Sequence, residues 1–168
     1  MKIDFLIDEL ESSQGDWGRI IRLTGDLGAL RVSGARLAFD DAEWREIEGL
    51  TFDGDQITRR IQVCGPAAFI VLKAIAFRNR TKQKDAYDLG CVLRHFGDSV
   101  DEIADRYRSF LPNDAAELAV QILSEDFSSE RSTGPRSASR FLYHEIDDVF
   151  VADFVGDVTR LLQIVTEW

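Results

Sequence analysis

A lysine within an apolar segment is the first feature of this sequence that points to chemistry. Lys73 is the single charged residue between Pro66 and Arg78, and helical spacing places apolar side chains beside it. A buried charge without a partner is costly, so such a lysine needs a carboxylate or an anionic ligand. Asp85 and Asp88 fall on or beside the apolar stripe of the next predicted helix. We therefore predict that Lys73 approaches Asp85 or Asp88 across a helical hairpin.

A basic segment separates these two helices in a chain whose net charge is −10. It contains Arg78, Arg80, Lys82 and Lys84. The start of the second helix adds unpaired N–H groups and a positive potential, which favour anions. The pattern predicts a phosphate-binding corner. The alternative is a structural ion pair between Lys73 and Asp85 beside a solvated basic turn.

The elements that carry these residues follow from the hydrophobic periodicity. Apolar alternation and turn residues predict strands over 2–7, 19–24, 28–39 and 56–63. Helices are predicted over 67–78, from Thr81 to Phe96, from a Ser99–Glu102 capping box to Phe110, from Pro112 to Phe127, and over 151–165. The serine-rich segment 128–140 is predicted to be a mobile loop, and the acidic cluster 40–48 a solvated loop or helix.

This order of elements indicates an α+β fold, with a small, partial antiparallel or mixed β-sheet at the N-terminus followed by a helical bundle. The predicted boundary separates a sheet domain, 1–64, from a helical domain, 65–168. Cys64 and Cys91 belong to no metal-binding or disulfide pattern and are predicted to be reduced core residues. The acidic start and the lack of a long apolar run predict a cytoplasmic protein that does not bind membranes.

Residues 65–94 carry a family resemblance. The segment GPAAFIVLKAIAFRNRTKQKDAYDLGCVLR resembles the helical signature of AbiEii-like nucleotidyltransferases, the toxin class of type IV toxin–antitoxin systems, and 84–88 matches its KDxxD-type helix start. The strand with Gly34, and Gly134-Pro135 followed by Phe141-Leu142, extend the likeness. The resemblance implies a nucleotide pocket formed by Lys73, Arg78, Lys82, Lys84, Asp85 and Asp88, with an NTP as substrate. Asp85 and Asp88 would shape this pocket or hold Lys73 in place.

The resemblance also implies a metal site, of which Asp4 is the matching residue. Asp4 matches the family's third-carboxylate strand and would be catalytic and bind Mg²⁺; the alternative is a solvent-facing acid. No GS…DxD element precedes it in this sequence, and Mg²⁺ needs at least two carboxylates for nucleotidyl transfer. The resemblance therefore implies a truncated or split homologue that binds a nucleotide and is not catalytic unless another segment or chain completes the metal site.

Partners follow from the same expectation. A separately encoded N-terminal fragment, a homodimer through strand 2–7, or an antitoxin would cover the open sheet edge, and an RNA end or a protein hydroxyl would accept the nucleotide. The alternative function is a non-catalytic protein-interaction or assembly module, and a further one is a helical interaction domain unrelated to nucleotides.

Overall fold

The computed structural model describes residues 5–8, 20–25 and 27–167. Its elements in chain order are β1 (Leu6–Asp8), β2 (Ile20–Thr24), β3 (Leu27–Val32), α1 (Leu37–Asp40), β4 (Glu43–Leu50), β5 (Gln56–Val63), α2 (Pro66–Arg80), α3 (Gln83–His95), α4 (Val100–Arg108), α5 (Asp114–Asp126), α6 (Thr133–Tyr143) and α7 (Asp148–Thr166). Two small sheets are thus followed by helices, which confirms the predicted α+β class. The predicted domain boundary at residue 64 stays a prediction.

The first sheet is mixed, in the order β1-β3-β2, with β1 parallel and β2 antiparallel to β3. Residues 2–4 of the predicted first strand lie outside the described residues. The predicted strand 28–39 is too long, because β3 ends at Val32. Gly34 then takes a φ of +78°, and a Cβ at this position would lie 2.8 Å from the Cβ of Ala115. This position therefore requires a glycine for two reasons: it packs closely on a helix, and its positive φ turns the chain towards α1.

The second sheet is an antiparallel ribbon of β4 and β5, paired from Glu43↔Val63 to Leu50↔Gln56. The prediction of a solvated loop or helix for 40–48 is therefore wrong from Glu43 onward. Both faces of this ribbon carry charged side chains, so β4 lacks the clean alternation of apolar and polar residues that marks a half-buried strand. Cross-strand contacts supply the order instead, including the guanidinium of Arg60, 4.8 Å from the ring centre of Trp44.

Helix α2 lies in the centre of the core, and eight of its residues are buried. Pro66 occupies its first turn, where a missing N–H costs nothing. The first turn is capped from a distance in sequence, because Asp41 Oδ2 accepts a hydrogen bond from the N–H of Ala68 at 3.1 Å. Gly65 makes this approach possible, since a Cβ there would lie 2.1 Å from the carbonyl oxygen of Asp41. The predicted proline-opened helix is confirmed.

Helix α6 corrects the prediction of a mobile loop over 128–140. Gly134 and Pro135 lie in its first turn and are buried, and a Cβ on Gly134 would lie 2.2 Å from the ring of Phe127. The buried hydroxyl of Ser139 donates to the carbonyl of Glu145 and accepts from the N–H of Asp147. Small and polar residues therefore allow close helix packing here. The composition of the segment does not distinguish such a packed helix from a loop.

The other predicted helices exist, but two predicted caps are wrong. Thr81 lies in the left-handed region at φ 48° after α2, and the extended residue that precedes α3 is Lys82. Ser99 precedes α4 without a side-chain capping bond, although Glu102 Oε1 accepts from the N–H of Asp98. Cys64 and Cys91 are free thiols, as predicted, but half-buried rather than fully buried.

Candidate functional site

The site that the sequence predicts is built around Lys73 in the middle of α2. The side chain of Lys73 is 22% exposed, and its ammonium lies 5.4 Å from the ring centre of Phe69. The turns on either side bury apolar residues, among them Ile70 and Phe77. The ammonium group is thus held at the edge of the core, where a charge interacts more strongly than in bulk water.

Two carboxylates from the first turns of α3 meet this ammonium, as predicted. Lys73 Nζ donates to Asp85 Oδ1 at 3.1 Å and to Asp88 Oδ2 at 2.7 Å. The side chain of Asp85 is only 3% exposed, and Asp88 is more accessible. Residues three apart lie on the same side of a helix, which explains how both acids reach one lysine.

Two further cations complete the cluster. Arg80 holds Asp85 in a bidentate pair at 2.6 and 2.7 Å, and Lys84 donates to both oxygens of Asp88 at 2.6 and 2.7 Å. We call Lys73, Arg80, Lys84, Asp85 and Asp88 the hairpin cluster. Arg80 was part of the predicted basic segment but not of the predicted nucleotide site. Arg80 and Asp85 lie close together in the sequence, on either side of the turn between two helices. This spacing is the sequence signal that could have identified Arg80 as a site residue.

Two residues of the predicted nucleotide site lie elsewhere. Arg78 points to α5, where Nε donates to Asp126 at 2.5 Å and a terminal nitrogen to Glu125 at 2.8 Å. Lys82 is exposed before α3 and forms no ion pair within the described part of the chain. Asp4 lies outside the described residues. The structure therefore brings together Lys73, Lys84, Asp85 and Asp88 from the predicted set.

The ionisation of both carboxylates follows from competing effects. Burial raises the pKa of Asp85, but hydrogen bonds from Arg80 and Lys73 outweigh it, and the net pKa lies below the usual value. Burial likewise opposes ionisation of Asp88, and the hydrogen bonds from Lys73 and Lys84 bring its pKa below the usual value. Both acids are therefore negatively charged near neutral pH.

Charge and donor counts define what the hairpin cluster can bind. Three cations and two carboxylates leave a net charge of +1. Each carboxylate already accepts three hydrogen bonds from cations, which compete with a metal ion for its oxygens. An ammonium has three N–H donors, and Lys73 uses two of them on carboxylates, which leaves one for a ligand. The cluster therefore suits an anion. No group of three potential metal ligands occurs in residues 5–8, 20–25 and 27–167.

The structure thus combines an α+β fold with a helical hairpin that carries Lys73, a basic turn and the KDxxD helix start at 84–88. A family model described as nucleotidyl transferase AbiEii toxin, Type IV TA system, matches residues 3–154. The match covers most of the chain, so the protein belongs to this family of nucleotidyltransferase-type toxins. No curated protein and no solved structure gives a significant match.

Membership of a toxin–antitoxin family implies an antitoxin as the counterpart of the toxin. None of the helices in the described residues is both long and apolar enough to cross a lipid bilayer.

Proposed function

We propose that the hairpin cluster binds the phosphates of a nucleoside triphosphate. The observation that carries the proposal is the convergence of three cations on two shared carboxylates, which leaves a positive group with unused N–H donors. Phosphate oxygens accept such bonds, and charge-assisted bonds of this kind are about twice as strong as neutral ones.

The residues divide the work by their exposure. Lys73 is fixed between Asp85 and Asp88 and presents one remaining N–H to a phosphate. Arg80 and Lys84 are more exposed and supply the outer contacts. Asp85 and Asp88 orient these cations, so that less conformational entropy is lost when the ligand binds. Lys82 would add positive potential at the rim, while Arg78 is engaged by α5.

Transfer of a nucleotidyl group needs more than this cluster. In the proposed reaction an NTP donates its nucleotidyl group to an RNA end or a protein hydroxyl and releases pyrophosphate. Mg²⁺ would neutralise the phosphate charge, and Asp4 is the residue of this chain that matches a metal-binding carboxylate of the family. At least two carboxylates are needed, so we propose that a further segment or chain completes the metal site and that residues 1–168 do not catalyse transfer by themselves.

Nucleotide titrations test the binding step. ATP, GTP, CTP and UTP are each titrated calorimetrically into the protein, with and without Mg²⁺. Lys73→Met should lower the affinity at least about tenfold, a loss of about 1.4 kcal/mol, because the fixed ammonium is lost. Asp85 keeps Arg80 and Asp88 keeps Lys84 in this variant, so the fold should persist, which circular dichroism checks.

Arg78→Met is the matched control, because Arg78 lies on the same helix but contacts α5. Equal affinities of wild type and Lys73→Met would contradict the proposed phosphate site. A ligand bound as tightly in the form of an uncharged nucleoside would also contradict it.

The transfer step has its own experiment. The purified protein is incubated with labelled NTPs, Mg²⁺ and either RNA or a protein extract. We expect no incorporation. Incorporation that is lost in Asp4→Ala would overturn the proposal that the chain needs another segment, without affecting the proposed phosphate site.

A second candidate function is a protein-assembly module. The favouring observation is that β1 lies at the edge of the described mixed sheet, with Phe5 and Leu6 about half exposed. An exposed edge with apolar side chains recruits another strand. A second copy of this chain, a separately encoded fragment or the antitoxin would each provide one.

A further inference from the structure

A groove separate from the hairpin cluster lies where α3 meets the start of α7. Its volume is about 470 Å³, within the range of ligand-binding clefts in proteins. Tyr87 and Arg94 line it from α3. Tyr87 is two residues from Asp85, a rotation of about 200° around the helix. The groove therefore opens on the side of α3 that faces away from Asp85 and its cations.

The floor and one wall of the groove are apolar and aromatic. Phe150 and Phe154 lie on α7 with ring centres 6.1 Å apart, and Tyr143 meets Phe150 edge-on at 5.7 Å. Val149 and Tyr143 are 71% and 48% exposed, respectively. Exposed apolar side chains that cluster beside a cleft mark an interaction surface rather than scattered surface residues.

The rim of the groove is acidic. Asp153 and Asp157 lie four residues apart on α7, and Asp147 lies at its start. Arg94 pairs with Asp153 and lies 3.6 Å from Asp157. Two carboxylates thus share one arginine, while the carboxylate of Asp147 caps α7 by accepting from the N–H of Phe150. Burial raises the pKa of Asp157, and the neighbouring Asp153 adds to this, while Arg94 opposes it. Because Arg94 is shared by Asp153 and Asp157, this pair of carboxylates would gain from another cation.

We infer that this groove docks a basic amphipathic segment of a partner protein. One bulky apolar side chain of the segment packs against Phe150 and Val149, and an arginine or lysine next to it reaches Asp153 and Asp157. Charge complementarity carries the choice of occupant: the acidic rim repels phosphates, and the net charge of −10 steers a basic ligand towards the protein. The groove thus has the opposite ligand preference to the hairpin cluster.

Fluorescence anisotropy with a labelled peptide tests the inference. The probe is an amidated peptide of phenylalanine, leucine and arginine, and the control probe carries glutamate in place of arginine. We expect saturable binding of the basic probe that weakens as salt is added, and no binding of the acidic probe. Shifts of the backbone amide signals of Tyr143 and Val149 should locate the basic peptide in the groove.

Variants with matched controls separate docking from general attraction. Asp153→Lys and Val149→Asp should each weaken binding about tenfold, because the first reverses the charge that the basic side chain meets and the second places a carboxylate on the apolar contact. Asp105→Lys is the control for charge, because Asp105 is also an exposed acid paired to an arginine, on α4. Leu118→Asp is the control for the apolar residue, since Leu118 is exposed on α5.

Three results would overturn the inference. One is equal binding of the basic and acidic probes, and another is equal loss of affinity in the groove variants and their controls. The third is concentration-dependent self-association that Asp153→Lys abolishes, without peptide binding, because the groove would then hold a second copy of this chain. All four variants change exposed side chains, and thermal unfolding followed by circular dichroism verifies that they fold.

Discussion

Arg80 and Asp85 face each other in a bidentate ion pair across the turn between α2 and α3, with both donor–acceptor distances between 2.6 and 2.7 Å. The same carboxylate accepts a third hydrogen bond, from Lys73. Asp85 is thus the shared acceptor that ties the end of α2, the middle of α2 and the start of α3 together. The cluster is therefore a structural joint as well as the proposed phosphate site, so stability and binding need separate measurements.

Removal of the charge on Asp85 should destabilise the protein. Asp85→Asn leaves Lys73 and Arg80 with one negative partner fewer, at a position whose side chain is only 3% exposed. Breaking a buried ion pair from one side costs several kcal/mol, and the amide retains one acceptor, so we expect a loss of about 2 to 4 kcal/mol in the free energy of unfolding. Urea denaturation measures it. Asp105→Asn, on the exposed surface of α4, should change this free energy by less than about 0.5 kcal/mol, and a similar change in both variants would refute the role of Asp85.

The stability that Asp85 contributes should disappear in acid. Its pKa is lower in the folded protein than in the unfolded chain, so the contribution is complete above the unfolded value of about 3.9 and is lost as the pH falls through the folded value. The difference in unfolding free energy between wild type and Asp85→Asn should therefore be constant above about pH 5 and shrink below about pH 4. Urea denaturation across this range tests it. A difference that grows in acid would contradict the sign.

Two helical glycines should respond in opposite directions to alanine. Gly156 on α7 has open space where a Cβ would lie, so Gly156→Ala should stabilise the protein by about 0.5 to 1 kcal/mol through reduced backbone entropy of the unfolded chain. A Cβ on Gly90 would lie 2.9 Å from the ring of Phe154, which is buried. Gly90→Ala should therefore destabilise the protein by about 1 to 3 kcal/mol. Thermal and urea unfolding of both variants give the sign, and stabilisation by Gly90→Ala would show that Phe154 moves freely.

An oligomer, if the purified protein forms one, should depend on Phe5. The carbonyl of Phe5 accepts a hydrogen bond from Leu30 on one side of β1, while its side chain is half exposed at the sheet edge. Phe5→Asp should dissociate a dimer formed through this edge because it places a charge on the apolar contact. Analytical ultracentrifugation over a range of concentrations measures this, and the helical circular dichroism signal should stay unchanged. A monomeric wild-type protein would remove the homodimer from consideration.

The helical half and its cluster could be predicted from the sequence because local signals agree there with the final packing. Lys73 in an apolar helix needs a carboxylate or an anionic ligand, and Asp85 on the apolar stripe of the next helix is a carboxylate within reach, so their contact could be predicted from electrostatics. Arg78 and Arg80 show the limit of this reasoning. The two arginines are two positions apart in one basic segment, yet Arg78 contacts α5 and Arg80 contacts α3. Only the packing of α5 against α2 determines which arginine pairs with which helix.

The errors lie where tertiary contacts override local composition. Gly134 and Pro135 favour a loop by composition, but the ring of Phe127 packs against the glycine, and proline is tolerated in the first turn of α6. The strand β4 is stabilised by its register with β5, which does not depend on a buried face. Such long-range causes are not visible in a window of one sequence.

The two strands of the β4–β5 ribbon carry opposite net charge, which affects how each edge of the ribbon can pair with another strand. β5 carries Arg59 and Arg60 and no acid, whereas β4 carries three glutamates and one arginine. Two copies that joined through β5 about either arginine would bring like charges together, and joining through β4 about Glu46 would do the same, which is destabilising. Symmetric pairing of two copies of the exposed ribbon through the same edge is thereby disfavoured, while each edge remains open to a strand of opposite charge.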